Sequence, residues 1–252
     1  STRPQVSSLT ENERRAIALL SLGQNPYDFH GHDFIAPIIA SFDGAQFGDA
    51  SIVNDDIFAL IPLSASGYSA SDDMIRKDIA FIISRQGGDG AWIGVDVTAA
   101  AVQALTPFSS VDGVTSALDR ANAYLASQQE SDGGFGSVYS SAWAAQAMRA
   151  LGASWQKNGR TISDYLASIQ SSDGAALSAS ESLENRTWAT SYAVPAALGT
   201  PWSSIMRSVA KPAPVVRSGS NEEVLPKPEP VLKQEELVAT ETIVPETLPV
   251  AP

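Results

Sequence analysis

The stretch Gln128-Gln-Glu-Ser-Asp-Gly-Gly-Phe135-Gly136 contains an Asp-Gly pair that recurs along the chain at nearly constant intervals. Glycine reaches positive φ at little steric cost, and Asp accepts hydrogen bonds from the backbone just downstream, so each pair predicts a tight turn. A period of roughly 40 residues is typical of repeat proteins. The pairs, spaced by 46, 43 and 41 residues, are Asp43-Gly44, Asp89-Gly90, Asp132-Gly133 and Asp173-Gly174.

Each turn lies between two segments whose length and pattern predict helices. The segments before the turns are amphipathic, and those after them are rich in small apolar residues. Glycines at 67, 152 and 199 follow three of the latter at helix-terminating positions. A β-hairpin interpretation of Asp-Gly is disfavoured because the flanks are long and do not alternate. The segments before the turns are 33–42, 75–86, 118–129 and 161–170; those after them are 54–66, 96–105, 139–151 and 186–198.

Residues 11–22 predict one more helix, the second member of an earlier pair, with Thr10-Glu-Asn-Glu13 as its capping box. The fold prediction is therefore all-α. We expect an α/α toroid, a full or partial barrel of about four to five helix pairs, because stacked pairs bury a continuous core. The predicted repeat domain comprises residues 1–210.

Composition limits the classes of partner. Apolar residues make up 44% of the chain, which is enough for a sizeable core. The formal net charge of −12 excludes nucleic acid as the expected partner, because phosphate binding needs clustered Lys and Arg. The chain has no cysteine, so disulfides, thiolate zinc sites and cysteine nucleophiles are excluded.

Residues 211–252 differ sharply in composition. They contain eight of the fifteen prolines, seven glutamates and no aromatic residue. Such a segment buries too little apolar surface to offset its ordering entropy, so we predict a disordered Pro/Glu-rich linker or stalk. A further domain and a membrane anchor beyond residue 252 stay open as its continuation. We expect the protein to be extracytoplasmic, either secreted or anchored at the cell surface.

The repeat resembles that of the prenyltransferase/squalene-cyclase superfamily. The residues that carry the resemblance are Gln128-Gln129-x-x-Asp132-Gly133-Gly134-Phe135-Gly136 and the weaker copy Gln86-Gly87-x-Asp89-Gly90-x-Trp92-x-Gly94. The stretch 95–105 is similar to the non-catalytic bacterial surface members and to the α-domain of cobalamin carriers. The resemblance implies inner and outer rings of helices, but function has to be argued from the site.

Catalytic features of the superfamily are missing from the sequence. The Asp-x-Asp-Asp acid motif of the cyclases is absent, and Asn54-Asp55-Asp56 is the nearest string. Without cysteine, neither a prenyltransferase zinc site nor a thioester forms. The sequence thus favours a non-catalytic binding domain. The alternative is a terpenoid-cyclase or prenyltransferase-like enzyme, with Asp55 or Asp56 as a general acid.

A metal site is a weak prediction at His30, His32 and Asp33, two imidazoles and a carboxylate in one loop. Helix capping by Asp33 is the competing interpretation. No catalytic cofactor is predicted.

In a toroid, the starts of the inner helices meet at one mouth, and polar and aromatic residues gather there in this sequence. Pockets that combine aromatic with polar groups commonly bind ligands. We expect the ligand to be a small molecule, for which cobalamin is one candidate, or another protein domain. A purely structural spacer with no ligand is the third alternative for the function. Capping and core packing are the competing roles, most of all for Trp143 and Trp188. The predicted ligand-binding residues are Asn54, Asp56, Asp96, Thr98, Tyr139, Ser141, Arg186, Trp188 and Tyr192.

Overall fold

A computed structural model describes residues 8–213 of the chain. This part contains ten α-helices, one short 3₁₀ turn and one two-stranded hairpin, so the all-α prediction is confirmed. The predicted tail lies outside the described residues, apart from its first three. The helices are α1 Leu9–Ser21, α2 Ala36–Ala40, α3 Asn54–Ala65, α4 Asp73–Ser84, α5 Val95–Leu105, α6 Val114–Gln128, α7 Val138–Ala150, α8 Ile162–Ser168, α9 Leu183–Ala197 and α10 Trp202–Ile205; the strands are β1 Gln156–Lys157 and β2 Arg160–Thr161.

The odd-numbered helices α1 to α9 form an inner layer, in which each packs against the next odd-numbered helix. The even-numbered helices α2 to α8 pack outside them. Alanine lets the inner helices approach closely: Ala99, Ala101 and Ala144 are completely buried between them. The helix-pair arrangement predicted for an α/α toroid is confirmed. The glycines at 67, 152 and 199 all have positive φ just after an inner helix, as predicted.

The Asp-Gly turns share one hydrogen-bond pattern. In the second pair, Asp89 Oδ1 accepts from the amide of Ala91, and Gln86 Nε2 donates to the carbonyl of Gly90 at 2.9 Å. The third and fourth turns repeat the glutamine bond, with Gln129 to Gly133 at 2.9 Å and Gln170 to Gly174 at 3.1 Å. In these three pairs, the glutamine just after the outer helix therefore fixes the turn that follows it.

Two of the turn glycines are needed for close packing as well as for their conformation. Gly90 and Gly133 have φ values of 92° and 91°. A Cβ on Gly90 would lie 2.4 Å from the carbonyl oxygen of Arg120, and one on Gly133 would lie 2.1 Å from that of Thr161. Each turn therefore packs tightly on the next outer element, which joins consecutive helix pairs.

A second shared bond ties each turn to its inner helix. A backbone amide shortly after the Asp-Gly pair donates to a polar side chain in the inner helix, at 2.8 to 2.9 Å. The donor residue is aromatic in the first three pairs and alanine in the fourth. The four bonds join Phe47 to Asp56, Trp92 to Thr98, Phe135 to Ser141 and Ala176 to Thr190.

Two local predictions are corrected by the structure. The N-cap of α1 is Ser8, whose hydroxyl accepts from the amide of Glu11. Thr10 therefore lies inside the helix, and the predicted capping box with Glu13 is wrong. The outer helix predicted at 33–42 is only the five residues of α2, because Asp33 holds the preceding residues in a turn, the helix begins after Ile35 and it ends at Ser41.

The segment that follows α9 returns across the C-terminal ends of the inner helices. We call residues 201–211 the C-terminal strap. Its last described contact places the Lys211 ammonium on the ring of Tyr68, 4.3 Å from the centroid. The strap, which includes α10, therefore packs across the C-terminal ends of α1, α3 and α5. Its backbone bonds are Trp202 N to Gln103 Oε1 at 3.0 Å, Arg207 N to the Leu20 carbonyl at 3.0 Å and Val209 N to the Ala65 carbonyl at 2.8 Å.

Candidate functional site on the inner helices

Three of the predicted mouth residues are buried rather than presented to solvent. Asp56, Thr98 and Ser141 each have 0% of their surface exposed. Their oxygens accept the turn amides described above, so these side chains stabilise the connections between helices. Asp96 is exposed and Asn54 is half-buried.

Arg186 is occupied by a contact inside the last helix pair. Its Nη2 donates to both carboxylate oxygens of Asp173 at 2.6 Å and to Ser171 Oγ at 3.1 Å. The Arg186 hydrogen bond lowers the pKa of Asp173 to about 2. Arg186 therefore anchors the fourth Asp-Gly turn to α9. The sequence analysis predicted a ligand-binding role for Arg186 and did not foresee this contact.

The first pair contains a buried acidic cluster, formed by Glu13, Asp56 and Asp78. These residues are 1%, 0% and 0% exposed. Burial raises the pKa of Glu13 to about 8, with a smaller contribution from the charges of Asp55 and Asp56. Burial, then the neighbouring Asp56 carboxyl, raises the pKa of Asp78 well above its ordinary value, and burial also raises the pKa of Asp56.

The positions of two cluster members are apolar elsewhere in the repeat. Glu13 lies ten residues before Gly23, where α7 has Ala142 before Gly152. Asp78 lies eight residues before Gln86, and Ala121 has the same place before Gln129. Carboxyls have replaced core residues here, so the cluster costs stability when its members ionise.

Aromatic side chains of α7 and α9 form a continuous surface, which we call the aromatic face: Tyr139, Trp143, Trp188 and Tyr192. The Tyr192 ring contacts the other three, with centroid distances of 5.4 Å to Tyr139, 5.8 Å to Trp188 and 6.5 Å to Trp143. Trp188 is 58% exposed, whereas the other three are half-buried. The aromatic face thus offers an accessible ring on a packed base.

The inner side of this surface continues into the layer of inner helices. Phe58 on α3 meets Trp143 edge-on at 5.9 Å, and Trp202 of the strap lies 6.2 Å from Trp143. Rings from α3, α7 and α10 therefore pack together on the inner layer. The indole nitrogen of Trp202 is buried there without a hydrogen-bond partner.

The structure brings together part of the predicted site. Tyr139, Trp188 and Tyr192 meet on the aromatic face, as a shared site requires. Trp143 is part of the same surface, although the sequence favoured core packing for it. The spacing of four residues in Tyr139–Trp143 and Trp188–Tyr192 could have indicated two stripes on one surface. Phe58 and Trp202 were missed, because nothing local in the sequence brings them to α7.

The weak metal prediction is corrected. Within residues 8–213, no group of three His, Asp or Glu side chains is arranged to hold a metal ion. The ring of His30 packs on Phe29 at 4.4 Å, and Asp33 Oδ1 accepts from the amides of Ile35 and Ala36. Asp33 therefore stabilises the turn that leads into α2, whose N-cap is Ile35.

The repeat architecture matches a known family. Residues 43–156, from the first turn to the end of the third helix pair, match the squalene-hopene cyclase C-terminal domain. This match supports membership of the repeat domain in the squalene-cyclase/prenyltransferase superfamily. A search of curated proteins gave no match. This squalene-cyclase-type domain has no described helix that is long and apolar enough to cross a membrane.

The candidate acids of this squalene-cyclase-type domain are both engaged in local structure. Asp55 Oδ2 accepts from the amide of Asp49 at 3.0 Å. Asp56 is completely buried and bonds the amide of Phe47. A general acid must reach its substrate through a direct hydrogen bond or one water. The burial of Asp56 therefore weighs against this role.

Proposed function

We propose that the repeat domain is a non-catalytic binding domain and that it binds a small molecule with a flat, apolar side on the aromatic face. The observation that carries the proposal is the exposure of Trp188, at 58%, on a base of packed aromatic rings. An exposed tryptophan supported by other rings is suited to stacking on a planar ligand. Another protein domain is the second class of partner that such a surface suits.

The filling of the inner layer supports binding rather than polyprenoid cyclisation. A cyclase needs an apolar chamber that encloses a long flexible chain. Here Phe58, Trp143 and Trp202 pack together on the inner layer. The burial of Asp56 and Asp78 supports the same choice, because a proton on either group is separated from a substrate at the surface.

We also propose that the protein works outside the cytoplasm, secreted or held at the cell surface. The support comes from composition: a net charge of −12 and a C-terminal region rich in Pro and Glu. Fractionation of the producing cells, with immunodetection of the protein, tests this location. Recovery in the cytoplasmic fraction alone would contradict it.

Isothermal titration calorimetry tests the proposed binding surface. Cyanocobalamin is the first probe, because the repeat resembles the cobalamin-carrier α-domain and the corrin ring has a broad flat side. We expect Trp188→Ala to weaken binding by about tenfold or more, as for the loss of a central aromatic contact. Leu22→Ala is the matched control, since Leu22 is a large apolar residue exposed at 73% beyond the end of α1.

Two outcomes would count against the proposal. Equal affinities of the wild type and Trp188→Ala would remove the aromatic face as the binding surface. The second is consumption of squalene, measured by gas chromatography, that is abolished in a folded Asp56→Asn variant. That result would establish the enzyme alternative.

A further inference from the structure

The fourth helix pair lacks a residue that the other three possess. The amide that bonds the inner helix belongs to Phe47, Trp92 and Phe135 in the first three pairs, but to Ala176 in the fourth. The three aromatic rings are at most 5% exposed. Each ring therefore fills a space in its own pair, and Ala176 leaves the equivalent space without a ring.

The second pair shows where this ring would lie. Trp92 is 1% exposed, and its Nε1 donates to the carbonyl of Ile82 on the outer helix α4 at 2.7 Å. Ile82 lies four residues before Gln86, and Leu166 of α8 has the same place before Gln170. The ring missing from the fourth pair would thus lie beside Leu166, between α8 and α9.

The structure has a cavity of about 250 Å³ at this place, which we call the α8/α9 slot. An apolar cavity of roughly 150 Å³ is enough to admit benzene in a protein core. The slot is therefore large enough for a ring of the size of indole. Its lining is mainly apolar and includes Leu166, Ala167, Ala176, Ala193, Val194 and Ala197.

The slot is also accessible, because the fourth turn is not covered as the second and third turns are. A Cβ on Gly90 or Gly133 would collide with the next outer element, whereas one on Gly174 would have nothing within 4 Å. Gly174 lines the slot, as does Val194, which is 49% exposed. A small molecule can therefore enter from solvent.

We propose that the α8/α9 slot binds a free aromatic molecule of one or two fused rings, in the place that Trp92 occupies in the second pair. An indole satisfies the geometry best. Its N–H would face the carbonyl of Leu166, just as the indole N–H of Trp92 donates to the carbonyl of Ile82. This site lies against the α8 side of α9 and is separate from the aromatic face proposed above.

Titration of the whole chain with indole, followed by calorimetry, tests the slot. We expect the wild type to bind with a Kd on the order of 1 mM or tighter, as for a ligand of so few atoms. Ala176→Phe rebuilds the missing ring and should weaken indole binding by at least tenfold. Val194→Phe is a second blocking variant, and Ser180→Phe adds an exposed ring outside the slot and should leave the affinity unchanged.

Three results of these titrations would overturn the proposal, and a further probe supplies a fourth. They are the absence of indole binding by the wild type, unchanged affinity in both blocking variants, and loss of binding in Trp188→Ala, which would place indole on the aromatic face. N-acetyl-tryptophanamide distinguishes a free ring from one on a polypeptide: weaker binding than indole supports the proposal, and tighter binding contradicts it.

Discussion

Replacing Glu13 with Gln should change how the stability of the protein depends on pH. Glu13 has an ordinary pKa of 4.5 and, when folded, one of about 8, so between these values the folded state keeps a proton that the unfolded state releases. The free energy of unfolding therefore falls as pH rises through this window. The stability that the protonated group provides is complete below pH 4.5 and is lost by about pH 8.

The size of the effect follows from the same two values. One pKa unit corresponds to about 1.4 kcal/mol, so at pH 7 the wild type should have lost about 3 kcal/mol relative to pH 4.5. The side chain is 1% exposed, which limits screening by solvent. Glu13→Gln removes this titration and should be more stable than the wild type at pH 7 by up to that amount. The two proteins should converge near pH 4.5.

Urea unfolding followed by circular dichroism, repeated from pH 4.5 to 8, measures this difference. The charged groups around Glu13 are Arg14 on its own helix and Asp55, Asp56 and Asp78 on α3 and α4. The carboxyls of α3 and α4 remain in both proteins. Glu11→Gln is the control: the Glu11 side chain is 45% exposed and pairs with Arg15 on the same helix, so this variant should keep the shape of the wild-type profile. If the free energies of unfolding of the wild type and Glu13→Gln changed in parallel with pH, the claim that Glu13 is buried and protonated would be refuted.

The remaining stability predictions concern the repeat connections. Gly133→Ala should cost about 3 kcal/mol or more, since its Cβ would collide with the Thr161 carbonyl, whereas Gly174→Ala at a similar φ should cost only about 1 to 2 kcal/mol of backbone strain. Equal losses in thermal unfolding would contradict the close approach. Thr98→Val leaves the buried amide of Trp92 without an acceptor and should cost about 1 to 3 kcal/mol by urea unfolding. Thr161→Ala removes the capping box of α8 and should cost about 1 kcal/mol; no change would mean that α8 is held by packing alone.

Much of the fold was predictable because the signals for its turns and helix ends are local in sequence. An Asp-Gly pair bonds its own backbone, and a glycine just after a helix needs positive φ; both effects depend on a few adjacent residues. The bounds of α3, α5 and α7 accordingly fall within one residue of the predicted segments. The predicted N-terminal cap was wrong because local sequence does not decide it. Ser8 and Thr10 have similar capping potential, and only packing selects between them.

The site was less predictable, because its members meet through tertiary contacts. Asp56 was predicted to line the mouth and Asp78 was not singled out, because only the packing of α1, α3 and α4 buries the two together with Glu13. Phe58 and Trp202 are far apart in sequence and meet Trp143 through the curvature of the inner layer and the return of the strap. The missing ring at Ala176 can be recognised only in the structure, where the turn hydrogen bonds show that Ala176 is equivalent to Phe47, Trp92 and Phe135.

Hydroxyl-radical footprinting of the tryptophans, read by mass spectrometry, tests the proposed aromatic face most directly. All five tryptophans lie within residues 8–213, and among them Trp188 alone has more than half of its surface exposed. We predict that saturating cyanocobalamin protects Trp188 from oxidation and leaves the buried Trp92 and Trp155 unchanged. Undiminished oxidation of Trp188 in the presence of bound ligand would contradict the proposal that this face binds it.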